Sequence, residues 1–600
     1  MALQRTVALL VGVLMLLDWK VLGVKNGEDV DRTHLPDLHY VPEPYNWMND
    51  PNGLYYDPRT ELYHLMFQYE TPRTWGHAYS KDLLHWTDLP IALDTDEPYD
   101  EGGVYSGSTT LLDDGTPAIL YSVWTNDKTC LAFPSNLADP YASNWSKVPE
   151  NPVIDSTRDG APDGRDPTTA WRHTVVDPEL YYMCYGMSPG PNQGAAVTFS
   201  SPDFYTWTEQ GYLHESNWTG FWECPDFFQI PSPPANAMVS HIFKVSLESD
   251  FRDYWTTGTY DEATVRFTPY STMTDIGTPN QLIDYGTYYA SKTFYDSSKD
   301  RQVLFGWIRE ERTVDDHGKP YGWAGAQSLP REISLGANGI RMLSYPIPEV
   351  ASLRVEDSQQ FLTWHVNEGD NLISVGPTGT TLDMELSVRV LDIPASIPGN
   401  YSVSCEVMVL ATEDTAEWTS YGVMWAAGNW YMPNTEILAD TYSVQPTSND
   451  DPRECQGFCQ EDANCFAYTY YQNGTCQLKG KTGPVSSQCT TCVSGIKSDE
   501  ATTLSRLLYT NTIHSSLSTI DGHKKRYRAG EIPTAGYTQD QVFLRAVVDK
   551  SVLEVFAEKG EAVISRRTYP TRSDATNNYF STIGGSCLFL DYVGWNLVLE

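Results

Sequence analysis

Along the first 350 residues the hydrophobic positions come in short runs rather than at helical spacing. Runs rich in Tyr, Val, Ile, Phe and Trp at 62–69, 118–124, 180–185 and 302–308 alternate with turns built from Gly, Pro, Asp and Asn. Such alternation marks strands bounded by turn chemistry. No 3.6-residue period persists over ten residues in this half, which argues against helices.

A weak repeat runs through these strands. Ser80-Lys-Asp-Leu-Leu-His-Trp86-Thr87 returns as Ser201-Pro-Asp-Phe-Tyr-Thr-Trp207-Thr208, and a looser echo runs from Ser135 through Asp139 to Trp145. Its period is roughly 60 residues, the length of one propeller blade plus connections. The Ser and Asp are expected to satisfy turn amides, and the Trp to pack between neighbouring sheets.

From about residue 361 the texture changes. Alternating strands at 381–391, 401–409, 541–556 and 587–599 predict an antiparallel β-sandwich. A foreign segment, 438–498, separates its halves. It holds Cys455, Cys459, Cys465, Cys476, Cys489 and Cys492, six of the 11 cysteines. At this density in a secreted chain they predict a small disulfide-stapled module, with the pairing left open. Zinc is the competing reading of Cys489-x-x-Cys492, but no His partners accompany it. Cys405 and Cys587 flank the insertion and are candidates to pair. Cys130, Cys184 and Cys224 are expected to be free or buried.

The expected organisation is therefore a propeller over 33–348, a sandwich over 357–437 and 499–600, and the insert between. Ahead of these, residues 1–23 read as a secretory signal. Arg5 is its basic part, 8–17 an apolar run too short to span a bilayer, and Gly23 lies near the cleavage site. No other long apolar run occurs. Sequons at Asn144, Asn217, Asn400 and Asn473 suit a secreted, extracellular glycoprotein.

The net charge is −38, with a pI near 4.5. A surface this acidic repels phosphate backbones and anionic lipids, so neither nucleic acid nor membrane is an expected partner. The chain has 18 Trp and 38 Tyr. Aromatic faces stack on sugars, but they also fill β-rich cores.

Three acidic motifs bear on chemistry. Trp47-Met-Asn-Asp50-Pro-Asn-Gly53 reads on its own as a hairpin turn. Gly164-Arg165-Asp166-Pro167 reads as a surface turn with a local ion pair. Trp222-Glu223-Cys224-Pro225-Asp226 is different, because Phe221, Trp222, Phe227 and Phe228 flank the Glu. A carboxyl in apolar surroundings is held protonated near neutrality, as a general acid requires. Asp50, among polar turn residues, and Asp166, beside Arg165, are expected to stay ionised. Retaining glycoside cleavage needs one carboxyl group of each kind, and a third carboxylate can stabilise the oxocarbenium-like transition state.

These motifs, in this order, resemble glycoside hydrolase family 32, the invertases, inulinases and fructosyltransferases. The likeness extends to Trp75-Gly-His-Ala78, Tyr105-Ser-Gly-Ser108, Asp284-Tyr-Gly, Tyr289 to Asp296, Gly322-Trp-Ala-Gly325, Val548 to Phe556 and Ser565 to Pro570. It implies a five-bladed propeller followed by a sandwich, with the pocket in the propeller's central funnel. It implies Asp50 as nucleophile, Glu223 as acid/base and Asp166 as transition-state stabiliser. Trp47, Asn49, Gln68, Trp75, Tyr105, Ser106 and Arg165 match positions that contact the fructose or shape its pocket. No metal or organic cofactor is implied; the partner is a saccharide, sucrose or a fructan.

Asp261 matches an acidic residue that holds the glucosyl unit in sucrose-cleaving plant members, where a Lys often stands at the position of Thr264. Trp47 leans toward hydrolysis over transfer, and Pro225 toward the cell-wall type. Invertase is the leading reading, with fructan exohydrolase or fructosyltransferase as alternatives. A non-catalytic carbohydrate-binding protein is the reading from another class; three intact acids argue against it. The cysteine-rich insert resembles a PAN/apple module, a type that binds proteins or carbohydrates.

Overall fold

The computed structural model describes residues 32–599 apart from 44–45, 70–72, 124–127, 161, 272–274, 279–280, 311–320, 392, 395 and 398–400; between 428 and 539 it describes strands and residue 538. The signal segment, Cys455, Cys459, Cys465, Cys489, Asn400 and Asn473 lie outside the described residues.

The described residues of 48–346 form five successive antiparallel sheets, each built on a four-strand meander, with a fifth short strand added in the second and the fifth. The first runs from Met48–Asp57 to Trp86–Leu93, and the fifth from Tyr288–Asp296 to Met342–Pro346. The opening strand of the first sheet packs against both Val104–Leu111 of the second and Tyr288–Asp296 of the fifth. The ring is tied there by Met48 N donating to Ala324 O at 3.0 Å. The opening strand Met48–Asp57 is buried on both faces because it lines the centre, whereas the outer strand Trp86–Leu93 is half exposed.

The sequence repeat is one structural device used three times. It forms the turn between the third and fourth strands of sheets one to three. In sheet one Ser80 Oγ accepts from Leu83 N, Asp82 accepts from Leu84 N and His85 N, and Trp86 Nε1 donates to Leu83 O. Ser201, Asp203 and Trp207 repeat every one of these bonds. Trp86 then packs edge-on against Phe305 of the fifth sheet. In sheets four and five the same connection is made by residues 262–265 and 336–341, which carry no Ser-x-Asp-x-x-x-Trp sequence.

The sandwich consists of two six-stranded sheets. Leu382, Met384, Leu386, Val388 and Val390 alternate inward along Thr381–Val390 and are buried, as a period of two requires. Cys405 and Cys587 lie on opposite sheets and form a disulfide that joins them. The insert forms its own five-stranded sheet between Trp418–Ala427 and Leu504–Ile513; in it Cys476 is buried and disulfide-bonded.

Propeller and sandwich share a buried polar seam. Asp284 accepts from Ser565 N and Oγ and from Arg331, while Tyr285 N and Thr287 N donate to the carbonyls of Val563 and Ser565. Arg331 also lies 3.3 Å from Glu554, and His39 bonds Asp549 at 2.8 Å. The two domains are thus locked by paired charges and continuous backbone bonding rather than by a flexible linker.

Candidate active site

The opening segments of all five sheets share one irregularity. Register shifts fall between Met48 and Pro51, Val104 and Gly107, Glu223 and Asp226, and Tyr289 and Lys292. In the third sheet Arg165 N bonds Gly186 O and Thr168 N bonds Cys184 O, the same three-against-two count. Each is a one-residue bulge. Bulges re-aim side chains and leave backbone groups without ladder partners. Asp50, Ser106, Asp166, Cys224 and Ala290 all sit within these bulges, so five equivalent kinks gather the site at one height. Asp166, Cys224 and Ala290 have φ of +66°, +42° and +52°, backbone strain of the kind found at functional sites.

Asp50 accepts from Ser106 Oγ at 2.6 Å and Asn49 Nδ2 at 2.9 Å. Trp47 Nε1 in turn donates to Asn49 Oδ1 at 3.0 Å, orienting the amide. Burial pushes the Asp50 carboxyl above its ordinary range; Ser106 and Asn49 pull the other way, and Asp166 adds to the rise. The direction is opposite to the expectation from its polar turn.

Asp166 is buried, not a surface turn residue. Its Oδ2 accepts from Cys224 N at 2.9 Å, and its own amide donates to Ser122 Oγ at 2.7 Å. Cys224 Sγ lies 3.8 Å from Asp50 and 3.6 Å from Asp166, so the two carboxylates flank one thiol. The expected Arg165–Asp166 pair does not form. Arg165 instead grips Glu223, Nη2 at 2.7 Å and Nε at 3.2 Å from Oε1, with its guanidinium over the Phe221 ring. The approach of sheets three and four depends on Gly186, where a Cβ would meet Trp222 O at 2.0 Å.

The Glu223 carboxyl is raised to about 7, chiefly by burial, with Asp166 adding and Arg165 and Tyr289 opposing. The direction and its chief cause, burial, match the expectation from sequence, but Trp222 and Phe227 are not the groups that supply it. Trp222 points away, against Phe243 and His214, and Phe227 packs on Trp171 and Tyr260. Neighbours along a strand face opposite sides. The groups at Glu223 are Arg165 and Tyr289, whose hydroxyl donates to Oε2. Beside them Cys224, Tyr289, Ala290 and Trp307 form a small apolar cluster with Trp47 packed on it.

Gln68 and Trp75 are buried behind the site. They donate to the carbonyls of Val104 and Tyr105, so they shape the second bulge. Tyr105 is half-buried, with the Arg73 guanidinium over its ring.

Asp261 does not belong to the site. Glu223 pairs with Ser246, and Ser246 with Asp253; Asp261 lies eight residues further along that strand, roughly 26 Å from the level of Glu223. Its carboxylate is taken by Ala263 N and Thr264 Oγ1. The exposed acid at the site is Glu248, 3.5 Å from Arg165 with a side chain 53% exposed. Near it Phe251, 49% exposed with φ +53°, stands edge-on to Tyr289.

Tyr289, Cys224 and Glu248 were missed as site residues. Tyr289 and Cys224 lie inside motifs the sequence reading quoted, and the bulge register is the signal that would have found them. Glu248 follows a strand with no local mark.

Among the described residues no cluster of His, Cys, Asp and Glu could hold a metal ion, and no helix is long and apolar enough to cross a membrane. Cys130, Cys184 and Cys224 are free and buried. Asn144 and Asn217 are exposed.

Comparison with known proteins matches the glycosyl hydrolases family 32 N-terminal domain over residues 39–346 and its C-terminal domain over 470–595. A PAN domain matches 435–481. The acid β-fructofuranosidase of Vicia faba is 35% identical over 561 residues, covering 89% of this chain and 76% of that protein. An insoluble β-fructofuranosidase isoenzyme of Arabidopsis thaliana is 35% identical over 66% of this chain and 73% of its own. The crystal structure of fructan 1-exohydrolase IIa from Cichorium intybus shares the fold, with a TM-score of 0.71, 24% identity and 95% and 98% of the two chains covered. The chain belongs to glycosyl hydrolases family 32.

Proposed function

We propose that this chain is a retaining β-fructofuranosidase that hydrolyses terminal non-reducing β-D-fructofuranosides, sucrose foremost. The observation that carries the reading is three acids gathered at one site, with Glu223 held protonated to about pH 7. Asp50 and Asp166 lie 3.8 and 3.6 Å from the Cys224 thiol, and Asp50, although burial raises it, accepts from Ser106 and Asn49, which favour its ionised form. One acid and one nucleophile are what the double displacement requires.

In the first step an Asp50 oxygen bonds to the anomeric carbon of the fructosyl unit. The bond to the leaving sugar breaks, and the Glu223 proton passes to the leaving oxygen. Glu223, now ionised, takes a proton from water, whose oxygen attacks the anomeric carbon and releases Asp50. Asp166, with one oxygen on the Cys224 amide, places its other oxygen toward the sugar and the charge developing on its ring. The leaving sugar lies on the open side of Glu223, where Glu248 and Phe251 meet it. Glu248 thereby takes the role expected of Asp261.

Relatives named acid β-fructofuranosidase support sucrose; a fructan 6-exohydrolase of Beta vulgaris, 36% identical over 61% of this chain and 62% of its own, supports the fructan alternative. A product profile on sucrose, inulin and levan separates them. Equal glucose and fructose from sucrose, abolished in Asp50→Asn and Glu223→Gln, is the expected result. Excess glucose with new oligosaccharides would show transfer instead, and turnover of either variant near the wild-type rate would remove the assignment. We further propose secretion through residues 1–23, glycans at Asn144 and Asn217, and a protein or carbohydrate ligand for the insert at 438–498.

A further inference from the structure

Each bulge at the site strands backbone groups that must find partners, because they are buried. In sheets one to three the partners are mostly uncharged: Gln327 for Asn49 O, Gln68 for Val104 O, Trp75 for Tyr105 O and Ser122 for Asp166 N. Sheets four and five use ions. Asp253, 1% exposed, accepts from both Ala290 N at 3.1 Å and Ser291 N at 2.8 Å. Lys244, also 1% exposed, donates to Ser291 O and, at 3.1 Å, to Ser291 Oγ, and lies 4.0 Å from Asp253. Lys292 reaches back to Pro225 O at 3.1 Å, and Asp226 accepts from Thr293 N at 2.6 Å. Four buried charges therefore stitch together two adjacent bulges. Burying an ion costs several kcal/mol unless it is well paired, and the neighbouring sheets show that neutral groups can close such a bulge. The two charged bulges are those that bear Glu223 and Tyr289.

We propose that Asp253, backed by Lys244, is a positioning residue for the acid/base: by fixing the Ala290 and Ser291 amides it sets the Tyr289 hydroxyl on Glu223. The proposal rests on the reading of Glu223 as the acid. Its consequence is electrostatic as well as geometric. The charged and titratable groups facing Glu223 are Arg165, Asp166 and Tyr289, with Glu248 behind Arg165. The Tyr289 bond favours ionised Glu223, so losing it keeps the acid protonated to higher pH.

The test is the pH profile of kcat/KM for sucrose in the wild type, Asp253→Asn, Tyr289→Phe and the double variant. Asparagine keeps one acceptor but presents an amide donor to the second backbone N–H. Both single variants should move the basic limb upward by roughly one unit, the worth of a bond to a charged group. The kcat should fall while KM changes by less than about twofold, as expected when a contact made in the transition state is lost. The double variant should shift no further than Tyr289→Phe alone, since coupled residues are not additive. A basic limb that stays at its wild-type position in Asp253→Asn, or shifts that add in the double variant, would overturn the proposal. If Asp253→Asn does not fold, Lys244→Met is read in the same way, and an unmoved limb there is equally decisive. A wild type that cleaves no fructoside refutes the enzymatic reading; a wild type that cleaves, with the limb fixed in the variants, refutes only the positioning role.

Discussion

Replacing Arg165 by methionine isolates the strongest specific interaction on the acid. Arg165 places Nη2 at 2.7 Å and Nε at 3.2 Å from one Glu223 oxygen, and both side chains are less than a fifth exposed. A hydrogen bond to a charged group is worth about 1.5–3 kcal/mol, and burial at this level leaves little of that to solvent screening. At about 1.4 kcal/mol per unit, losing it raises the Glu223 pKa by about one to two units, from about 7. Removing the guanidinium also frees Glu248, whose charge acts in the same direction. The acid is protonated on the low-pH side of its pKa, so the basic limb of kcat/KM moves up in Arg165→Met. Initial rates of sucrose cleavage from pH 4 to about 10 read that limb, which reports the free enzyme. A limb that stays in place or moves down would falsify the assignment of Arg165 as the group that restrains Glu223.

Three further outcomes follow from the geometry. Gly186→Ala forces a methyl against the Trp222 carbonyl, and kcat should fall by about 10- to 100-fold, as expected of a displacement near 1 Å; a near-normal kcat would show that the sheets can part without harm. Glu554→Ala leaves Arg331 and His39 buried without their shared partner, which should destabilise the domain seam by about 3–5 kcal/mol, read as a lowered thermal midpoint; an unchanged midpoint would count against the seam. His64 and His77 face each other at 3.0 Å, with His64 lowered to about 4 and His77 also lowered, both chiefly by burial. Their folded pKa values lie below the unfolded one, so their contribution is whole above about pH 6.5 and is lost as the pH falls toward 4. His64→Gln should shrink the difference in melting temperature between pH 7 and pH 5; an unaltered difference would contradict this.

Much of the fold is legible in residue patterning, for identifiable reasons. The turns at Ser80–Trp86 and Ser201–Trp207 are closed by their own side chains, so a local motif suffices to locate them. The sandwich strands alternate because only one face of each sheet is buried. Three acids of the candidate site, Asp50, Asp166 and Glu223, were legible because each lies in a motif of its own, and the bulges bring those motifs together. The site was not legible where long-range packing decides. The polar partners of Glu223 are Arg165 and Tyr289, 58 and 66 residues away, and the adjacent Trp222 faces the other way. Asp261 matched by local motif but sits at the wrong end of its sheet, whereas Glu248 has only its place at a strand end to mark it. Several blocks that resemble the family, Asp284-Tyr-Gly, Val548 to Phe556 and Ser565 to Pro570, hold the seam between domains and not the pocket.

The account turns on a covalent fructosyl bond to Asp50. It is tested most directly by quenching Glu223→Gln with an activated aryl β-fructofuranoside, whose leaving group needs no acid, and mapping the modified peptide by mass spectrometry. The account predicts one added fructosyl unit on the peptide containing Asp50, lost in the Asp50→Asn, Glu223→Gln double variant. Product release with no adduct and with inversion at the anomeric carbon, or an adduct on any other residue, would contradict it.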